Sequence, residues 1–251
     1  MASSSNILPN GQVPSGFQQY MKRFLIIYVF VSIFANCVQL FMDPSIIASL
    51  IVHLGGNAVM VGFADTSTYL GSIASAFLAA YVLGLMQSYR RMTMIFSFAS
   101  LLNLIMILSA ILWLRSFAAI IMVTVGIFIY NFILGSLSLP WNGMLKQEIS
   151  GKARVKYVST MVAGSFVIAS VVSLGIRWIL QHQALVFPYN YVVLFGGAVV
   201  LALCYFVLTT MLKKEDQTSE ENYQIPVRMS IKEIFVLELK RVREDKQVRF
   251  F

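Results

Sequence analysis

Residues 24–52 read FLIIYVFVSIFANCVQLFMDPSIIASLIV. Nearly every position is aliphatic or aromatic, and the run exceeds the ~20 residues that a helix needs to cross the hydrocarbon core of a bilayer. Five more runs follow, at Ala58–Met86, Met92–Leu114, Ala118–Leu139, Tyr157–Leu180 and Tyr191–Leu212. Each run is expected to form one spanning helix. Six crossings carry the chain from side to side, so the basic residues can be sorted by side. Of the 19 Lys and Arg residues, all but Arg115 and Arg177 fall on one side: Lys22 and Arg23, Arg90 and Arg91, the Lys146–Lys156 group, and those beyond Leu212. Cytoplasmic loops carry the Lys/Arg excess. The chain is therefore expected to be an all-α, multi-pass protein of the cytoplasmic membrane, a six-transmembrane-helix bundle with both termini inside.

Composition points the same way. Hydrophobic residues make up 58% of the chain and charged residues only 12%, about half the charged share of an ordinary soluble domain. The net charge of +8 is sorted to one face, where it meets anionic headgroups. No soluble basic domain is present, which argues against nucleic acid as a partner. Cys37 and Cys204 lie alone inside spans, with no disulfide framework and no metal-ligand spacing. No cofactor or metal is expected.

The bundle is expected over 21–212. Residues 1–20 are polar and rich in Ser, Gly, Asn and Pro, which suits a disordered cytoplasmic lead-in. The first apolar run is too long for a signal-peptide core. Between the fourth and fifth spans, Pro140–Lys156 sets Trp141, Met144, Leu145 and Ile149 at helical spacing among Lys and Glu. That pattern predicts a short amphipathic helix on the inner leaflet, broken at Gly151. Residues 213–251 change character. A charged linker is expected first, then an amphipathic helix over 230–245 opened by a capping box of Ser230 and Glu233. The last residues, Val248-Arg249-Phe250-Phe251, are expected to lead into a seventh helix.

Polar residues inside spans are costly against lipid and should face protein or water. On the first span Ser32, Asn36, Gln39 and Asp43 recur three and four apart, forming one stripe. On the fourth, Thr124, Asn131 and Ser138 repeat at seven, beside Gly135. Together they are expected to line a hydrated cavity, with interhelical hydrogen bonding as the alternative. The second span carries Ser67, Gly71, Ser75 and Ala79, and the fifth carries Ser165, Ala169 and Ser173. Small residues four apart let helix backbones approach closely. Such rows suit either packing within the bundle or a smooth surface against a second bundle. Asp65 is a candidate proton or cation site, and Arg177 continues the small row of the fifth span as a candidate partner of Asp43 or Asp65. His53 and His182 are expected in outer loops.

This architecture resembles the N-terminal half of a major facilitator superfamily transporter. In that family the loop between the second and third helices carries a pattern of the form Gly-x-Leu-x-Asp-Arg-x-Gly-Arg-Arg. The matching stretch here is Gly84-Leu85-Met86-Gln87-Ser88-Tyr89-Arg90-Arg91. Gly84 fits the opening position and Arg90 and Arg91 fit the closing basic pair. Ser88 stands where the family has Asp, and the second Gly is missing. A second similarity is the Pro-aromatic step Pro140-Trp141 leaving the fourth span, followed by Glu148 and Arg154. The resemblance implies half of a twelve-helix fold, with Gly84, Arg90 and Arg91 in a cytoplasmic gating loop. It also implies a second six-helix bundle as partner, supplied by a missing C-terminal half or by a dimer. The implied activity is secondary transport of a small solute by alternating access, with a small-molecule substrate and the lipid bilayer as the other partners.

Three rival readings stand beside it. The membrane domain of an ATP-driven exporter also has six spans, but it sends long helices into the cytoplasm, and the turn at Arg90-Arg91 is too tight for that. An intramembrane hydrolase needs a base beside its nucleophile. Ser136 and Ser165 follow glycines, yet neither His lies in a span, so no enzyme is expected. The third rival is a non-transporting or degenerate six-span protein, which the Ser88 departure keeps open.

Overall fold

The computed structural model describes residues 15–86, 88–114, 116–148, 151–182 and 185–211. Among these every regular element is an α-helix: α1 (Ser15–Phe41), α2 (Pro44–His53), α3 (Ala58–Met86), α4 (Tyr89–Trp113), α5 (Ser116–Glu148), α6 (Gly151–Gln181) and α7 (Tyr189–Met211). Five stretches are long and apolar enough to cross a membrane, namely Leu25–His53, Tyr89–Trp113, Phe117–Lys146, Tyr157–Gln181 and Tyr189–Met211. The protein is thus an all-helical, multi-pass membrane protein. The further long helix, α3, runs for 29 residues.

The first apolar run is not one helix. It breaks at Asp43-Pro44, where Asp43 is the N-cap of α2 and its side chain accepts from the Ser45 N–H. Proline has no N–H to give and suits the first position of a helix, so α1 stops and α2 restarts. The far end of α2 is closed by Gly55 at φ 85°. The Gly56 N–H reaches Ile51 O at 2.8 Å and the Gly55 N–H reaches Val52 O at 3.0 Å, the paired bonds of a Schellman motif, for which a left-handed glycine is best suited.

Three further expectations change. Helix α1 begins at Ser15, inside the expected lead-in of residues 1–20. Between Pro14 and Pro44 the chain holds no proline, and Gln18, Gln19, Met21 and Lys22 are all good helix formers. The segment after Pro140 is not a separate amphipathic helix as far as Glu148. It is the last part of α5, which runs through Pro140. Proline removes one ladder bond, and side chains add bonds around it: Ser138 Oγ donates to Gly135 O at 2.7 Å and Asn142 Nδ2 to Ser138 O at 2.8 Å. Gly151 opens α6 instead of breaking a helix. The amphipathic helix expected over 230–245 lies outside the described residues.

Helix α3 packs on α5, α5 on α4, α4 on α7, α7 on α1, and α1 on α6, while α2 touches α3. The main core sits where α2, α4, α5 and α7 meet, around Leu50, Leu104, Ile107, Val123 and Leu194. Asn103 on α4 reaches across this core and donates to Gly126 O on α5 at 2.9 Å. Helices α3 and α6 stand at the two ends of the packing order, and both are extensively exposed. Only 6% of the α6 span is buried, so most of that helix awaits lipid or another surface.

Candidate functional site

The small-residue row of α3 lies against α5 inside the bundle. On α3 Ser75 and Ala79 are buried. A Cβ on Gly71 would come within 2.5 Å of Phe128 O and 3.1 Å of Asn131 Cβ, so the glycine is what lets α3 lie directly against α5. Ser67 is half-buried in the same row. On α6 Ser165 and Ala169 are half-buried, and Ser165 Oγ accepts from Asn36 Nδ2 of α1 at 3.1 Å. Of the two readings open for these rows, close packing within the bundle describes α3, and at Ser165 it describes α6. Ser173, one turn beyond Ala169, is exposed.

The polar stripe on α1 divides in the same way. Ser32 is buried and donates to Tyr28 O of its own helix at 2.9 Å. Asn36 is committed to Ser165. Gln39 and Asp43 are exposed. The stripe is therefore a dry seam for its first half and an open face for its second. On α5, Thr124 donates to Ile120 O at 2.8 Å, and Asn131 donates to Ile127 O at 2.9 Å. Both remain half-buried at the seams of α5. Asp65 is exposed on α3.

Asp43 and Arg177 come together, as the walls of one cleft of about 360 Å³ between the α1–α2 break and α6. Ser45, Ser173 and Gln181 share its polar rim, and Leu40, Ile46, Ile176 and Leu180 form its apolar floor. Asp65 does not reach it. Both hydrogen bonds accepted by Asp43 go to Oδ1, from the Ser45 N–H at 2.9 Å and from the Ser45 hydroxyl. Arg177 Nε donates to Gln181 Oε1 at 3.4 Å. Among the described residues neither charge forms an ion pair.

At the opposite, basic end, Ser88 caps α4 and accepts from the Arg91 N–H at 3.4 Å. Serine is among the residue types best suited to cap a helix. Arg91 is exposed and Arg90 half-buried, and Arg90 Nε is buried with no hydrogen-bond partner among the described residues. Gly84 falls in the last turn of α3.

Two aromatic clusters were not anticipated. Tyr28 stacks on Trp141 at 4.0 Å and meets Tyr157 at 5.6 Å, joining α1, α5 and α6. At the other end His53 is the last residue of α2, not part of a loop. Its Nδ1 lies 2.7 Å from Ser49 O. Tyr191 of α7 donates to Ser49 Oγ at 2.8 Å, and the His53 ring faces Phe187 at 5.7 Å. The aromatic residues are visible in the sequence, but nothing local marks which of them meet.

The chain matches no protein-family model, and no curated protein matches it.

Proposed function

We propose that this chain forms one six-span half of a secondary transporter of the major facilitator type, moving a small solute by alternating access with both termini in the cytoplasm. The reading rests on how exposed residues are distributed among the helices. From Met92 to Trp113 on α4, and from Val193 to Val207 on α7, every exposed residue is apolar. Such faces suit lipid. The other helices expose Gln39 near the end of α1, Asp43 at the cap of α2, Asp65 on α3, Ser138 and Asn142 on α5, and Ser173 and Arg177 on α6. Gln39 and Asp65 form no side-chain hydrogen bond among the described residues, and groups of this kind are expensive against hydrocarbon. A water-filled pathway closed by a second six-helix bundle gives them a favourable environment.

Cysteine accessibility tests this. In a background with Cys37 and Cys204 replaced by Ser, Gln39→Cys should react with a membrane-impermeant maleimide, while Leu102→Cys on α4 should not. Protection of Gln39→Cys from both sides of the membrane would leave only a packing role for the exposed half of the stripe.

A further inference from the structure

We infer that the cleft between the α1–α2 break and α6 binds a dipolar ligand, with the ligand's cationic end at Asp43 and its anionic end at Arg177. This deepens the transport reading by naming a ligand class, although binding itself requires no transport.

Two opposite charges from separate elements face one cleft and do not pair with each other. Asp43 Oδ1 is taken by Ser45, and Oδ2 has no partner among the described residues. Arg177 commits only Nε, to Gln181, so both of its terminal amino groups are left to the cleft. A simple anion drawn to Arg177 would be opposed by Asp43, and a simple cation drawn to Asp43 would be opposed by Arg177. A molecule carrying an ammonium at one end and an anionic oxygen group at the other satisfies both. Guanidinium groups suit carboxylates and phosphates because their paired N–H donors match two oxygens.

Size and lining agree with a small ligand. About 360 Å³ lies at the lower end of the ~300–1,000 Å³ spanned by small-molecule sites. The floor of Leu40, Ile46, Ile176 and Leu180 suits a short aliphatic body. A free α-amino acid has this chemistry, and so does the headgroup of an ethanolamine phospholipid.

The test uses the full chain in nanodiscs of phosphatidylglycerol, which offers no ammonium, and follows thermal unfolding. In one arm L-leucine is titrated against two singly charged analogues, leucinamide and N-acetyl-leucine. In the other, phosphatidylethanolamine replaces the lipid and no amino acid is added. The inference expects leucine or phosphatidylethanolamine to raise Tm, and the arm that responds identifies the source. Asp43→Asn keeps a capping side chain and Arg177→Gln removes an exposed charge. Each should weaken leucine binding at least about tenfold, equivalent to about 1.4 kcal/mol, or abolish the lipid-dependent shift. Ser173→Leu, which narrows the cleft and leaves both charges in place, should do the same. Leucinamide and N-acetyl-leucine should give no shift. No shift in either arm, an equal shift with either singly charged analogue, or a shift that survives all three substitutions would overturn the inference. Failure here alongside aqueous labelling of Gln39→Cys removes the ligand assignment and leaves the transport reading standing. Binding alongside complete protection of Gln39→Cys does the reverse.

Discussion

Tyr28 and Trp141, one on α1 and the other just past the proline of α5, lie with their rings 4.0 Å apart and 18° from parallel. The Tyr28 hydroxyl also donates to the Trp141 carbonyl oxygen at 2.8 Å. Stacking and a hydrogen bond thus act on the same pair, close to a helix ladder that Pro140 has weakened. With Leu145 and Tyr157 buried beside them, they fasten α1, α5 and α6 at the basic end of the bundle. Toward the other end of α6 lies the open cleft lined by Asp43 and Arg177, beside which Ile176 is buried in the main core.

Removing only the hydroxyl, by Tyr28→Phe, should cost about 0.5–1.5 kcal/mol, the net worth of one hydrogen bond. Trp141→Ala removes the stacked ring but keeps the accepting backbone carbonyl, and should cost about 3–5 kcal/mol. Unfolding of the purified protein in detergent would measure both. No loss from Trp141→Ala would mean that stacking contributes nothing.

Gly71→Ala places a methyl group against the Phe128 carbonyl, and the backbone cannot yield as a flexible side chain would. Separation of α3 from α5 should cost about 1–3 kcal/mol. Gly62→Ala is the control, since a Cβ there meets nothing within 4 Å. It should stay within about 0.5 kcal/mol of the parent. The comparison needs only the two midpoints of thermal unfolding.

The bond from Asn36 to Ser165 is the cross-link between α1 and α6 on the polar stripe. A double-mutant cycle of Asn36→Ala and Ser165→Ala should return a coupling of about 0.6 kcal/mol, typical of hydrogen bonds between membrane helices. Additive losses would show that the two side chains do not interact in solution.

Asp43 as the cap of α2 makes a separate prediction from Asp43 as a ligand group. Asp43→Ala should destabilise by about 0.5–2 kcal/mol, whereas Asp43→Asn should match the parent, because Asn caps as well as Asp. Stability measured without ligand therefore reports the cap, and ligand titration of Asp43→Asn reports the free carboxylate oxygen.

The break in the first helix was legible in principle. Asp43-Pro44-Ser45 is an N-cap followed by a proline at the first helical position, a local signal of helix start that the surrounding apolar run outweighed. The small-residue rows on α3 and α6 were legible as close-approach faces, because spacing on one helix is a local property. Their partners were not, since the choice of α5 for α3 and α1 for α6 depends on the packing of residues far apart in the chain. The polar stripe expected on the first span combines two environments, and its last member, Asp43, lies beyond α1 as the cap of α2. Ser32 is buried and Asn36 is half-buried against Ser165, whereas Gln39 and Asp43 are exposed.

Hydropathy, local and additive along the chain, was enough to mark the long apolar helices. Which polar groups remain open depends on the tertiary structure, because a side chain's surroundings are made by its neighbours in space. Asp43 and Arg177 are separated by most of the chain, and only the packing of α6 beside the α1–α2 break puts them on facing walls of one cleft.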